Sequence, residues 1–333
     1  MKTSLTLTAN PPFIHEVDAS VCAVCASSGL SNVVAQGLDF EYETCANVWK
    51  VCECPQCGHL QLNPRPATST LSVIYPGNYY SYQMGKVSPF ALWCKRKLDK
   101  RKFAGILKML GKQPSSYLDV GCGDGRYLEL MIAMGLGPAN VHGIEIDQDT
   151  VDVARSKGLN VVNCRAEEAE HLADGSLDLI TMFHVIEHLD EPGKVIQTLA
   201  RKLKPGGMLI METPNFDSLD ARMFGRRYWG GFHFPRHWHI FKEPTLARLA
   251  QTHGLHAQAT RYQPGHAFWL FSFHHLLRYG WGTRRLANAF HPLKSLPGLA
   301  LVVAFDLARA ALGMKTSAML MACRKGSQKA DGA

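Results

Sequence analysis

One stretch, Tyr117-Leu118-Asp119-Val120-Gly121-Cys122-Gly123-Asp124-Gly125, constrains this chain more than any other. Tyr117 to Val120 reads as a short strand and Arg126 to Met134 as the helix that follows it. The alternating glycines between them permit a tight turn and let the backbone approach a ligand closely. The helix start adds free amide groups and a field that favours negative charge. Asp119, one residue before the first glycine, opposes an anionic pyrophosphate and welcomes a cationic amino group. The Gly-x-Gly-x-Gly spacing also differs from the Gly-x-Gly-x-x-Gly of dinucleotide sites. Both features favour a ligand such as S-adenosylmethionine over a nucleotide. A turn with no ligand is the alternative.

Downstream, strand and helix signals alternate, which predicts a mainly parallel sheet covered on both faces. Further strands are expected at Ala139–Ile146, Asn160–Asn163, Leu177–Met182, Met208–Glu212, Leu255–Tyr262 and Thr316–Cys323, with Lys204-Pro205-Gly206-Gly207 as a turn. Glu145 ends the second strand, where a carboxylate accepts hydrogen bonds from two ribose hydroxyls. Asp147 is the weaker candidate for that role. Cys164-Arg165-Ala166-Glu167 follow the third strand, at the crevice where an adenine would lie. After the fourth strand comes Phe183-His184-Val185-Ile186-Glu187-His188-Leu189. On a first helical turn His184 and His188 share a face that Glu187 borders. Three readings stay open: a histidine base taking a proton from a hydroxyl, a divalent metal orienting a substrate oxygen, and a structural cluster.

Near the amino terminus, Cys22-x-x-Cys25 and Cys54-x-x-Cys57 form two thiolate knuckles. Four thiolates make a closed, structural zinc site, and a unit this small (residues 13–66) needs such a staple to fold. Cys45 and Cys52 are rival ligands by sequence. The segment between the knuckles holds Asp39, Glu41 and Glu43 against Lys50, which argues against a phosphate-binding face. The formal charge of +8 and a pI near 9.0 fit a nucleic acid, an anionic small substrate or an anionic membrane surface. Met1 to Thr6 carry no apolar signal-peptide core, which points to the cytoplasm.

Residues 67–114 form a linker with a tyrosine-dense turn (Tyr75, Tyr79, Tyr80, Tyr82) and a leading helix from Phe90 to Leu110. The turn suits the mouth of a pocket. Residues 216–240 lack periodicity but carry Trp229, Phe232, His233, Phe234, Arg236, His237, Trp238 and His239, and read as an acceptor-binding lid. Residues 264–315 hold two apolar stretches flanked by arginines. They read as an insertion of one or two helices that packs on the domain, makes a homodimer, or touches a membrane peripherally.

Tyr117 to Gly125 resembles motif I of class I S-adenosylmethionine-dependent methyltransferases. Val141 to Asp147, Ser176 to Pro192 and Leu203 to Asn215 resemble that family's later motifs. The resemblance implies a Rossmann-like, seven-stranded α/β methyltransferase sheet over residues 115–326, its last strand antiparallel, with the small zinc ribbon ahead of it. It implies Asp119, Gly121, Cys122, Gly123 and Gly125 near the methionine part of the cofactor, Glu145 on the ribose, and Ala166 with Glu167 beside the adenine. Phe183 joins the cofactor-binding set. Cys22 to Asn63 with Tyr75 to Tyr82 resembles the leader of nucleotide-sugar C-methyltransferases, although their large carboxy-terminal domain is missing. The core also resembles ubiquinone-biosynthesis O-methyltransferases, whose Glu-x-x-Glu-His holds a divalent metal; here His184 takes the first of those positions. The expected activity is methyl transfer to a hydroxyl of a small molecule or glycan-pathway acceptor, with His184, Glu187, His188 and His237 as catalytic candidates. The alternatives are C-methylation of a nucleotide-linked keto sugar, with Tyr79 or Tyr80 stabilising an enolate, a nucleic-acid methyltransferase, and a non-enzymatic cofactor-binding scaffold.

Overall fold

The computed structural model describes residues 10–77, 89–291 and 296–326. Tyr79 and Tyr80 lie outside the described residues, and so does Tyr82.

The amino-terminal part contributes β1 (Glu16–Val17), β2 (Asn32–Gly37), β3 (Trp49–Glu53), β4 (Leu60–Leu62) and β5 (Arg65–Pro66), followed by α1 (Leu71–Ile74) and the long α2 (Pro89–Leu110). The alternating region then gives β6 (Tyr117–Val120), α3 (Arg126–Ala133), β7 (Val141–Glu145), α4 (Gln148–Ser156), β8 (Asn160–Asn163), β9 (Leu177–Phe183), α5 (Pro192–Lys202) and β10 (Leu203–Pro214). After α6 (Leu219–Phe224) come β11 (His239–Ile240), α7 (Glu243–Thr252) and β12 (Leu255–Gln263). Three more helices, α8 (His266–His275), α9 (Arg284–Ala289) and α10 (Leu296–Ala311), precede β13 (Ala318–Lys325).

The seven-stranded sheet has the order β12-β13-β10-β9-β6-β7-β8. Its pairs from β10 to β8 are parallel, and β13 runs antiparallel between β10 and β12. The central strands are buried throughout, as strands covered by helices on both faces must be. Phe103, Ile106 and Leu110 of α2 cover one face with Leu128 and Met131 of α3 and Val151 of α4. Val195, Ile196 and Leu199 of α5 and Leu246 and Leu249 of α7 cover the other. Seven strands with the last one antiparallel are as expected. The Lys204–Gly207 turn is instead a pairing irregularity within the long β10.

The largest departure from expectation is the 216–240 segment. It is interior. Its β11 pairs with β4 and extends the amino-terminal sheet to the order β11-β4-β3-β2. Trp229, Phe232, Phe234 and Trp238 share a core with Trp49, Val51, Leu60 and Leu62. A segment whose rings fill a core at native density is a bridge between the two parts, not a lid over solvent. The acids between the knuckles are internal too. Asp39 is fully buried against Arg236, Glu41 touches His233, and Glu43 binds Arg278 and Tyr279. They clamp later parts of the chain and present no acidic outer face. The 264–315 segment holds three α-helices and a π-helical turn, Leu276–Gly280, which is more than the one or two helices expected. Among the described residues no helix is long and apolar enough to cross a membrane.

Candidate active site

Strand β6 ends in the glycine turn. Gly121, Gly123 and Gly125 have φ of +71°, +55° and +85°, a region that strains any other residue. A Cβ at Gly121 would come within 2.5 Å of Val185, so the turn also needs the missing side chain. At Gly123 a Cβ would meet nothing within 4 Å, so that backbone faces open space. Cys122 turns its sulfur inward against Gly143.

Asp119 is buried below this turn. Its Oδ1 accepts from Thr181 Oγ1 at 2.6 Å, and Thr181 Oγ1 lies 2.6 Å from the Tyr117 hydroxyl. Asp119 Oδ2 has no hydrogen-bond partner. Burial pushes its carboxyl up to about 7, against the pull of the Thr181 hydrogen bond and of Arg126 and Lys102. A buried carboxylate with a bare oxygen beside open backbone is a seat for a cation.

Glu145 stands at the end of the neighbouring β7. Its Oε2 accepts from Gly123 N at 3.0 Å, and its Oε1 accepts from Ile146 N and Asp147 N. These bonds fix the carboxylate at the rim of the turn and leave lone pairs for further donors. Asp147 caps α4 by accepting from Thr150 N at 2.8 Å, which accounts for it structurally. Ala166 is buried at the start of a short 3-10 turn, and Glu167 is held by Arg165, whose Nη2 also reaches Asp190 at 2.7 Å.

Beyond β9 the chain reaches His184, whose φ of +54° is strained for a residue with a side chain. Its Nδ1 lies 3.2 Å from Glu187 Oε1 and its Nε2 3.5 Å from Glu212 Oε1. Burial alone would lower this imidazole, but the two carboxylates outweigh it and hold His184 up at about 9. It is therefore cationic at neutral pH and donates hydrogen bonds. Glu212, at the end of β10, is itself held down at about 2: burial would raise it, but Lys102 and His184 win. Lys102 of α2 pairs with Glu212 and lies 3.8 Å from the centre of the Phe183 ring.

His188 is the opposite case. Burial takes it down to about 4, so it is neutral, despite the attraction of Glu187. Its Nδ1 lies 3.0 Å from the Arg236 carbonyl oxygen and 3.0 Å from the Tyr75 hydroxyl. A carbonyl can only accept, so Nδ1 carries the proton and the Nε2 lone pair is bare. His237 repeats this arrangement, with Nδ1 2.7 Å from the Gly231 carbonyl. Glu187 is fully buried and its Oε2 has no hydrogen-bond partner. One ligand atom from each of Glu187, His188 and His237 falls within 4.8 Å of the others. Two neutral imidazoles with fixed tautomers and one carboxylate suit a divalent cation of the transition series.

The fold thus brings Asp119, the glycines and Glu145 together at one end of the sheet, and His184, Glu187, His188 and His237 into one cluster. Lys102 and Glu212 belong to that cluster and were missed as site residues, and Tyr75, singled out with the tyrosine turn, joins it through His188. Glu212 had a signal, since a carboxylate at the carboxyl end of a central strand faces the ligand crevice. Lys102 had none, being one of several cations on its helix.

Outside this cluster, Cys22, Cys25, Cys54 and Cys57 also group within 4.8 Å. The Cys22–Cys57 and Cys25–Cys54 sulfur separations are both 3.6 Å. Four sulfurs each about 2.3 Å from a tetrahedral zinc would lie about 3.8 Å apart, so the set fits that ion. Cys45 is fully buried in the Trp49 core, and Cys52 points at the Asn63 carbonyl; neither belongs to the set.

The methyltransferase-domain family model matches residues 94–260, or 167 of the 333 residues. A ubiquinone biosynthesis O-methyltransferase of Xanthomonas oryzae is 40% identical over 104 residues, covering 29% of this chain and 42% of the relative. One from Bordetella avium is 32% identical over 157 residues, covering 43% of this chain and 63% of the relative. The chain therefore spans less than two thirds of either curated relative. A solved SAM-dependent methyltransferase from Archaeoglobus fulgidus is 19% identical, with 72% of this chain and 100% of that chain covered at a TM-score of 0.46.

Proposed function

Since this chain belongs to the methyltransferase-domain family, we propose that it binds S-adenosylmethionine on the Gly121–Gly125 turn and transfers the methyl group to a hydroxyl oxygen of a small molecule. The observation that carries the cofactor reading is the bare, buried Asp119 Oδ2 beside the open Gly123 backbone. The cofactor's ammonium group would complete Asp119, and its ribose hydroxyls would donate to Glu145. The choice of oxygen draws on the two curated relatives. Carbon methylation through Tyr79 or Tyr80 draws no support from the described residues.

In the transfer, the acceptor oxygen forms a bond to the methyl carbon as the carbon–sulfur bond breaks, and the electron pair stays on sulfur. The hydroxyl proton must leave. His184 is protonated with both N–H groups directed at Glu187 and Glu212, so it would act on the acceptor oxygen through its positive charge. The bare Nε2 atoms of His188 and His237, with Glu187, are the acceptors for the proton. The alternative use of the same lone pairs is to hold a divalent metal, which would make the hydroxyl more acidic, and in that case none of the three residues would serve as the proton acceptor. The four thiolates would hold a structural zinc.

Calorimetry in buffers of different ionisation enthalpy tests the cofactor reading. With Asp119 near 7, a bound cation favours its carboxylate, so S-adenosylmethionine should release about half a proton at pH 7. Asp119→Asn should remove the release and weaken binding. Absence of proton release, together with unchanged affinity in Asp119→Asn and Glu145→Ala, would show that the ligand sits elsewhere.

A further inference from the structure

The insertion between β12 and β13 carries a helix built inside out. On α10 the charged side chains, Asp306 and Arg309, are buried, while apolar ones face outward. Leu301 is 73% exposed, and Leu312, just past the helix end, is 78% exposed. With Ala304, Phe305 and Ala308, all exposed, they recur at helical spacing and make one stripe without a charge. A helix on a water-facing surface shows the reverse pattern.

The inner face explains why the charges point inward. Asp306 Oδ1 accepts from Arg309 Nη1 at 3.1 Å and from Trp269 Nε1 at 3.2 Å. Its Oδ2 accepts from Gly265 N and Ser317 Oγ, both at 3.2 Å. Arg309 Nη2 donates to the Lys315 carbonyl at 2.7 Å. These bonds pin α10 to the segments that leave β12 and enter β13. The outer stripe has no part in that attachment.

The neighbouring helix adds cations to the same surface. Trp269 and Phe273, one turn apart on α8, meet Phe305 of α10 and Phe290 at the end of α9, with ring centres 5.7 Å and 5.3 Å apart. Helices α9 and α10 therefore pack beside each other on one flank of α8. Arg284, Arg285 and Leu286 of α9 are exposed, and Trp281 just before it is 66% exposed. Asp306 is the only carboxylate from residue 264 to residue 315, and it is buried. An exposed apolar stripe beside exposed cations matches an anionic lipid surface, where acyl chains take the leucines and headgroups take the arginines. A second copy of the chain would bring the same cations and no exposed carboxylate from this segment to meet them.

We propose that α9 and α10 rest on the surface of an anionic membrane, with Leu301, Phe305 and Leu312 at the acyl boundary, Trp281 at headgroup depth, and Arg284 and Arg285 on lipid phosphates. The contact runs along the surface, since no described helix is long and apolar enough to cross. The proposal does not depend on the transfer reaction.

Tryptophan fluorescence of the full chain tests it, with vesicles whose acyl chains carry bromine as a short-range quencher. Mixed phosphatidylglycerol and phosphatidylcholine vesicles should quench the parent, and phosphatidylcholine alone should quench far less. Trp281→Phe should lose most of the quenching. Leu301→Asp with Leu312→Asp should weaken vesicle binding at least about tenfold, because each buried leucine is worth at least that much. Both leucines are exposed, so the double variant should melt with the parent; should it fail to fold, Trp281→Phe carries the test. No quenching of the parent, equal quenching by phosphatidylcholine alone, undiminished affinity in the double variant, or unchanged quenching in Trp281→Phe would each overturn the proposal. So would a dimer in the ultracentrifuge that the leucine changes dissociate, in a protein that vesicles do not bind.

Discussion

Replacing Arg236 with Met should unfold the protein more readily and leave cofactor affinity alone. The Arg236 side chain is fully buried and all its nitrogens are engaged inside the molecule. Nη1 and Nη2 each donate to an Asp39 oxygen at 3.0 Å, Nη1 also donates to the Phe234 carbonyl, and Nε donates to the Ile74 carbonyl at 2.6 Å. The guanidinium also lies 4.4 Å from the centre of the Tyr42 ring. No donor remains for a substrate phosphate. Breaking one side of a buried, hydrogen-bonded pair costs about 3–5 kcal/mol, because the other charge stays behind unpaired. At about 2.1 cal/mol/K per residue, 333 residues give an unfolding entropy of about 0.7 kcal/mol/K, so the melting temperature should fall by about 4–7 °C.

The pH dependence carries the sign. Burial would raise the Asp39 carboxyl, but Arg236 overcomes that and holds it below its ordinary value. In the parent, Asp39 therefore contributes stability that is present above the unfolded pKa and lost as pH falls through the folded one. In Arg236→Met the same buried carboxylate loses its cation and its pKa rises, so it opposes folding at neutral pH and less so once protonated. The stability gap between variant and parent should be widest near pH 7 and should close below about pH 4. Calorimetric melting of both proteins from pH 4 to 8 measures it. A variant that melts with the parent yet loses acceptor binding would refute this account and return Arg236 to the substrate.

Three further expectations follow from other sites. Protein purified without added metal should carry one zinc per chain, and Cys22→Ser or Cys57→Ser should lose it; a metal signal indifferent to both changes would reject the four-thiolate site. In Glu212→Gln, His184 should titrate about one unit below its parent value of about 9, since one of two carboxylates is gone; a parent His184 that titrates near 6.5 by NMR would contradict the charge arrangement. Between residues 264 and 315 the one carboxylate, Asp306, is buried, while Trp281, Leu301 and Leu312 are exposed, as are Arg284 and Arg285. That surface should bring the chain down with anionic vesicles in low salt, and Arg284→Glu with Arg285→Glu should release it; equal recovery with neutral vesicles, or self-association in the ultracentrifuge without vesicle binding, would reject the membrane contact.

The central strands of the large sheet, such as β6 and β9, were legible because each is a short, mostly apolar run closed by glycine or a polar turn. The antiparallel last strand came from the family resemblance. The thiolate pairs announced themselves by spacing. The bridge was not legible, for a physical reason. Strand β11 is only His239–Ile240, too short for any period, and its partners Gln61 and Leu60 lie far back in the chain. Arginine and histidine in an aperiodic stretch looked exposed and functional, because nothing local reveals that Arg236 finds its acid 197 residues away at Asp39. Glu187 and His188 were recognised by their motif. The charge states of His184 and His188 were not, since the first depends on Glu187 together with Glu212 and the second on burial.

Under the proposed function, those long-range contacts would give the amino-terminal unit a part in the chemistry. Asp39 holds the Arg236 guanidinium, and the Arg236 carbonyl takes the Nδ1 proton of His188. The Gly231 carbonyl does the same for His237, and the turn that carries it is packed under Trp229 and Phe232 in the core shared with Trp49. Both imidazoles are therefore locked with Nε2 unprotonated, and the lock is made of backbone whose position the ribbon determines. An imidazole at the surface would exchange tautomers freely and spend part of its time unable to accept a proton or a metal. The row of buried histidines exchanges that freedom for a fixed lone pair, at the cost of lowering the basicity of His188 to about 4. A base that weak takes a proton efficiently only from a hydroxyl made more acidic by a neighbour. The cationic His184, held between Glu187 and Glu212 in the same cluster, is the neighbour that would supply the needed positive charge in the proposed transfer.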